Sequence, residues 1–154
     1  MDKYDMVRRI GAGSCGSVYL VREKAKGNAP WIVKKISLTT IDPGIEAAGA
    51  EAQGEVRALE KLRHTNIVHL KESFLTDDYL CIVMEYCEGG DLFNRIRTQR
   101  KGGTYFDETQ ILDWFVQLCL ALQHCHTNTM LHRDLKTQNV FLKGDIVRVR
   151  DVHS

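Results

Sequence analysis

In the segment His132-Arg133-Asp134-Leu135-Lys136-Thr137-Gln138-Asn139, an acid is followed two residues on by a base and three residues later by a carboxamide. Met130-Leu131 precedes the segment and Val140-Phe141-Leu142 follows it, so its polar chemistry sits on a loop anchored by apolar residues. That combination suits phosphoryl transfer, in which catalysis is mostly positioning plus stabilisation of charge on the moving group. Asp134 can orient a hydroxyl nucleophile and take its proton, Lys136 can neutralise developing phosphate charge, and the amide oxygen of Asn139 can coordinate Mg²⁺. His132 and Arg133 would brace the loop.

The elements that must hold the other reactants lie upstream. Tyr4, Met6, Val7 and Ile10 read as a first strand, followed by Gly11-Ala12-Gly13-Ser14-Cys15-Gly16 and then by Ser17-Val18-Tyr19-Leu20-Val21. Dinucleotide-binding folds share the Gly-x-Gly-x-x-Gly spacing, but they need a helix directly after the glycines, and Val18 to Val21 are β-formers. The reading is therefore strand, turn, strand. Trp31-Ile32-Val33-Lys34-Lys35-Ile36 reads as another strand, and its alternation sends Lys34 and Lys35 to opposite faces.

The spacing predicts a helix over 47–62, with Val56, Leu59 and Leu62 on one stripe and Glu55 on the same side, where a carboxylate wants a cation. Glu51 and Glu60 lie about 40° and 140° off that direction. A strand opening near Ile67 and running through Phe74 meets a partner over 79–85 across the Thr76-Asp77-Asp78 turn, which makes five strands and one helix. Gly89-Gly90 then leads into a helix that Asp91 can cap. Asp107-Glu108-Thr109-Gln110 has capping-box spacing, and Ile111, Trp114, Phe115, Leu118, Cys119, Leu122 and Cys125 recur at intervals of three and four, which predicts the longest helix of the chain. His124 and His126 fall about 200° apart on it, which disfavours a shared metal ion.

Composition narrows the alternatives. The 154 residues are 44% hydrophobic, enough for a sizeable core, and the net charge of +1 gives no electrostatic case for nucleic acid or an anionic membrane. No stretch approaches the roughly 20 apolar residues of a membrane span, and the first residues lack an apolar signal core, so the expectation is a soluble intracellular chain. Five cysteines without a Cys-x-x-Cys suggest reduced thiols rather than a disulfide framework or a zinc site. Cys15, within the glycine segment, reads as an inert small apolar residue, with an exposed, modifiable thiol as the alternative.

In this order of elements, His132-Arg133-Asp134-Leu135-Lys136-x-x-Asn139 resembles the catalytic loop of the protein kinases, and lysine at 136 resembles their serine/threonine branch. Tyr86-Cys87-Glu88-Gly89-Gly90-Asp91-Leu92-Phe93, Gln110-Ile111-Leu112-Asp113-Trp114-Phe115 and Leu131 to Leu142 look most like the NIMA-related (never-in-mitosis) kinases. The resemblance spans residues 4 to 142 and implies an α+β protein kinase-like fold, a partial kinase domain over 4–154. Its small lobe would cover 4–85 with a five-stranded antiparallel sheet and one helix, its hinge 86–90, and the start of a helical large lobe 91–154.

The implied reaction is transfer of the ATP γ-phosphoryl group, with Mg²⁺, to serine or threonine hydroxyls of protein substrates, with Asp134 as base and Lys136 beside it. Asn139 and Asp151 would be the metal ligands. Gly11, Gly13 and Gly16 would form a lid over the phosphates, and Ile10, Val18, Ile32 and Phe141 would line the nucleotide site. Lys34 would bind the α/β-phosphates while paired with Glu55, so that Lys34 and Asp134 serve one triphosphate. Met84 would limit the pocket, backbone groups of Glu85 and Cys87 would hold adenine, and Asp91 would contact the ribose unless capping is its whole role. By analogy the chain would be cytoplasmic, with cytoskeletal or nuclear association.

One departure stands out. Where the family reads Asp-Phe-Gly, this chain has Asp151-Val152-His153, which lacks the phenylalanine's volume and glycine's freedom at positive φ. The implied large lobe would also be truncated, leaving the Trp114/Phe115/Leu118/Leu122 stripe without the helices that would normally bury it. Poor stability, aggregation and little activity of the chain alone are the expectations. The alternative function is a non-catalytic fragment that binds nucleotide or a partner and regulates a longer relative.

Overall fold

A computed structural model describes residues 2–13, 16–25, 27–38, 53–54, 56–57, 59–76 and 78–150. Glu55, Asp151, Cys15 and most of the segment before the predicted helix lie outside the described residues. The chain divides into two compact units, Met1–Val56 with His69–Tyr86 and Arg57–Val68 with Cys87–Ser154.

The first unit is built on one antiparallel sheet of β1 (Tyr4–Gly13), β2 (Gly16–Glu23), β3 (Pro30–Ser37), β4 (Leu70–Leu75) and β5 (Tyr79–Glu85), in the order β1-β2-β3-β5-β4. This is the five-stranded sheet expected of the fold class. Its two faces follow from the alternation of side chains along each strand. One face carries the core cluster of Tyr4, Val21, Val33, Cys81 and Val83, with Tyr19, Trp31 and Phe74 packed against it. At the margin of that face, Lys71 pairs with Glu23 and lies 4.4 Å from the Trp31 ring centre, which gives a largely buried ammonium both a counter-charge and an aromatic wall.

β1 and β2 run further into the glycine segment than its composition indicates, reaching Gly13 and starting again at Gly16. Gly16 is held there by packing. Its φ is +142°, and an added Cβ would lie 2.0 Å from the Lys35 carbonyl oxygen of the neighbouring strand, so no other residue fits. Residues 53–54, 56–57 and 59–61 are helical, in keeping with the predicted helix, and Val56, Leu59 and Leu62 are buried.

The second unit contains α1 (Leu92–Lys101), α2 (Glu108–Thr127), a 3₁₀ turn (Thr137–Asn139) and a hairpin of β6 (Val140–Lys143) and β7 (Ile146–Val149). Both helices begin on aspartate caps: Asp91 Oδ1 accepts the Asn94 N–H at 2.8 Å, and Asp107 Oδ1 accepts the Thr109 N–H at 3.3 Å. Gly89 lies close to β6, exchanging a bond from its N–H to the Leu142 carbonyl (2.9 Å) while the Leu142 N–H reaches Gly90 (2.9 Å).

Two expectations are corrected here. The strand expected to open near Ile67 starts at Leu70, because Asn66 ties the preceding loop elsewhere. The Asn66 amide donates to Gln117 Oε1 of α2 (2.9 Å) and to the Val147 carbonyl of β7 (3.1 Å), and Ile67 bridges Val149. On α2, Trp114 is buried, with its ring meeting Phe106 edge-on at 5.0 Å, whereas Phe115 is 62% exposed. The packed face runs through Trp114, Ala121 and Cys125, and α2 is apolar so nearly all round that periodicity alone does not choose it.

Candidate active site

The polar residues of the catalytic segment meet on one turn in the second unit. His132, 3% exposed, and Asn139, 4% exposed, anchor its two ends, with Met130, Val140 and Leu142 buried alongside. Between them the backbone doubles back at Arg133, whose φ is +60° while the Asp134 N–H donates to the His132 carbonyl at 2.8 Å. This is a three-residue γ-turn, a strained conformation for a side chain larger than glycine, and it turns the Asp134 carboxylate outward.

Lys136 Nζ lies 2.6 Å from Asp134 Oδ2, and Asn139 Nδ2 donates to the same oxygen at 3.0 Å and to the Asp134 carbonyl at 2.9 Å. The Asp134 carboxyl is held below the ordinary carboxylate range, first by the Lys136 hydrogen bond and then by the charge of Lys136, the Asn139 amide and His132. It is therefore ionised at neutral pH and able to accept a proton. Asn139 leads directly into β6, and the Arg150 N–H, just past β7, donates to the Asn139 carbonyl at 3.0 Å and extends the hairpin pairing to it.

The surrounding elements fix this turn in place. α1 packs on Thr137–Asn139 and on β6, and Asp91 forms an antiparallel bridge with Phe141, whose ring carries the Arg150 guanidinium 4.7 Å from its centre. Asp91 caps α1, its second oxygen also accepting the Asn94 side-chain amide at 2.8 Å. Cys87 is buried, and its carbonyl accepts the Gly90 N–H at 3.1 Å.

The first unit carries the other predicted residues on the sheet face opposite its aromatic core. Val18, Lys34 and Ile82 lie directly abreast on β2, β3 and β5, and Leu20, Ile32 and Met84 form the next row on the same face. One ammonium is thus set among apolar side chains. Lys35 faces the other way, with its ammonium 5.7 Å from the Tyr19 ring centre and 5.5 Å from that of Tyr79, as the alternation predicts. Gly11 pairs with Val18 and Gly13 with Gly16, Ile10 is exposed on β1, and Glu85 closes β5 with its N–H donating to His69 at 2.9 Å.

The donor chemistry fits the cofactors expected. With both amide hydrogens of Asn139 directed at Asp134, its carboxamide oxygen points away as a hard neutral ligand of the kind Mg²⁺ accepts alongside phosphate oxygens. Among the described residues no group of three or more His, Cys, Asp or Glu could cage a metal by itself. An ammonium on a face otherwise lined by Val18, Leu20, Ile32, Ile82 and Met84 suits a phosphate chain joined to a flat heterocycle. Sequence reasoning missed the γ-turn at Arg133 and the Lys136–Asp134 contact; the second was within reach, since a two-residue separation across a tight turn brings such side chains together.

Comparison with known proteins bears on the whole chain. The protein kinase domain model matches residues 4–152. The chain is 46% identical over 145 residues to serine/threonine-protein kinase Nek1 of Mus musculus, covering 94% of this chain and 12% of that protein. It is 45% identical over 153 residues to serine/threonine-protein kinase Nek5 of Homo sapiens, covering 98% and 21%, and 44% identical over 142 residues to Nek3 of Mus musculus, covering 92% and 26%. The chain thus spans about a quarter or less of the length of these curated relatives.

Proposed function

This chain belongs to the protein kinase family, in its NIMA-related (Nek) branch, and from that membership we propose that it takes part in transfer of the ATP γ-phosphoryl group to serine or threonine hydroxyls of proteins. The observation that carries the reading is the single turn on which Asp134, Lys136 and Asn139 are hydrogen-bonded to one another. Asp134 receives the proton of the attacking hydroxyl, and Lys136, released from Asp134, turns to the phosphoryl oxygens. Mg²⁺, when bound, neutralises phosphate charge; Asn139 and Asp151 are its ligands on this reading.

Lys34 holds the α/β-phosphates, paired with Glu55, and Gly11, Gly13 and Gly16 cover them. Ile10, Val18, Ile32, Met84 and Phe141 are the proposed nucleotide contacts, with backbone groups of Glu85 and Cys87 proposed for adenine and Asp91 for the ribose. Residues 4–85, 86–90 and 91–154 are read as small lobe, hinge and the beginning of the large lobe of one domain. No helix among the described residues is long and apolar enough to cross a membrane.

The test is a titration with ATP-Mg²⁺ beside a transfer assay on a serine/threonine peptide. Lys34→Met should weaken ATP binding about tenfold or more, as loss of a charged hydrogen bond does. Unchanged affinity would refute the assignment. A second reading, a nucleotide-binding regulatory fragment without transfer, is favoured by Val152 and His153 where the family has Phe-Gly. Binding without transfer would select it.

A further inference from the structure

α1 is the most unbalanced stretch of charge in the second unit. Between Leu92 and Lys101 it holds Arg95, Arg97, Arg100 and Lys101 and no acid, in a chain whose net charge is only +1, so the rest of the sequence is net acidic. At 100° per residue, Phe93, Ile96, Arg97, Arg100 and Lys101 fall within an arc of about 140°, whose Ile96 edge borders buried Leu92 and half-buried Gln99. All five are exposed, Phe93 at 43% and Ile96 at 41%. Just past the helix, Tyr105 is 95% exposed, with its carbonyl accepting the Gln99 side-chain amide at 3.3 Å.

Ordinary structural roles account for part of this. Arg95 lies over the Phe106 ring, 5.9 Å from its centre, and Arg100 and Lys101 sit in the last turn, where cations complement the helix dipole. Neither role explains Arg97 or the two apolar side chains set among the cations in solvent. Aromatic residues beside arginine, framed by charge of one sign, are the composition of an interface centre.

We propose that this face of α1 docks an acidic segment of a partner protein, its carboxylates meeting Arg97, Arg100 and Lys101 and its apolar side chains covering Phe93 and Ile96. Near-neutral overall charge and the apolar share of the patch favour a peptide over a nucleic acid, which would need a broader basic field. The inference stands beside the phosphoryl-transfer reading and needs neither nucleotide nor transfer.

The experiment is fluorescence anisotropy of the full chain with a labelled peptide of alternating glutamate and leucine, and with the same peptide carrying glutamine for glutamate. The glutamate peptide should bind, the glutamine peptide should bind at least severalfold more weakly, and raising the salt should weaken the difference. Arg97→Glu/Arg100→Glu/Lys101→Glu should reduce affinity about tenfold, and Arg8→Glu/Arg22→Glu/Lys24→Glu, on the other unit, should leave it unchanged. Phe93→Ala/Ile96→Ala should also weaken it, with circular dichroism showing that helix is retained in each variant. Equal binding of the two peptides, equal losses in the two charge-reversed variants, or tighter binding of a single-stranded oligonucleotide than of the glutamate peptide would overturn the proposal. Since ATP affinity is measured separately, failure here leaves the nucleotide reading standing.

Discussion

The side-chain amide of Asn139 donates to both the carboxylate and the backbone carbonyl of Asp134, at 3.0 and 2.9 Å. The proposed base and the proposed metal ligand therefore move as one body, and neither can be reoriented without the other. Asp134→Asn should lower transfer about 10²- to 10⁴-fold while leaving ATP affinity nearly unchanged. Asn139→Ala should lower transfer and also raise the Mg²⁺ concentration needed for nucleotide binding. A loss of affinity equal to the loss of rate in Asp134→Asn would show that the carboxylate is only structural.

Lys136 sets the charge state of Asp134. Its hydrogen bond is the largest cause of the lowered carboxyl pKa, so Lys136→Met should move the Asp134 titration midpoint upward toward the ordinary carboxylate value. A carboxylate depressed in the folded state favours folding above its unfolded pKa, and that contribution is lost as pH falls through the folded value. Carbon-13 NMR of the carboxyl in wild type and variant measures the direction; no upward movement would assign the depression elsewhere.

His64 adds a second titration in the same direction. Its ring stacks on His124 at 4.9 Å between centres, and its Nδ1 accepts the Asn66 N–H at 3.1 Å, a bond that protonation would destroy. Burial, followed by the charges of His124 and Arg148, holds the imidazole pKa below its ordinary value. The unfolded chain then takes up a proton that the folded one refuses, so stability is complete above about pH 6.5 and declines as pH falls below it. Urea midpoints should stay level from pH 8 to about pH 6.5 and fall from there to pH 5, less steeply in His64→Gln. Equal slopes would remove His64 from the account.

Gly89→Ala should destabilise the second unit. An added Cβ would lie 2.8 Å from both the Cβ and the carbonyl oxygen of Leu142, a backbone contact that cannot swing aside. Overpacking of this kind costs about 1–3 kcal/mol, readable as a lowered denaturant midpoint. An unchanged midpoint would mean that the diglycine yields.

α2 exposes Ile111, Leu112, Phe115, Val116 and Leu120. In solution the isolated chain should self-associate through this surface, and Leu112→Gln/Phe115→Gln should reduce light scattering and dye binding without altering the circular dichroism. Equal scattering by wild type and variant would locate the association elsewhere.

The sheet was legible because alternation of period two specifies both a strand and its faces, which is why Lys34 and Lys35 could be sent opposite ways from the sequence. The reacting groups were legible because few side chains can serve as base, counter-cation and oxygen ligand. What was hidden depended on distant partners. Nothing in arginine announces φ of +60° at position 133, and the loop at 64–68 is drawn from its expected strand by an asparagine whose partners come about 50 and 80 residues later. On α2, Trp114 and Phe115 differ in fate by one residue on a helix apolar on most sides, where only the neighbouring elements decide.

The two adjacent lysines of β3 make the sheet intolerant of a kind of error that its composition would conceal. Deleting or inserting one residue between Trp31 and Lys34 would still leave a lysine near the row of Val18 and Ile82, but would exchange the two in parity and send each apolar neighbour to the wrong side. The connection before Pro30, with Gly27 and Asn28 already in left-handed conformations, is where an extra residue can be absorbed. Length variation in this part of the chain is therefore confined to the hairpin end, and the central strand is held to a fixed count by geometry.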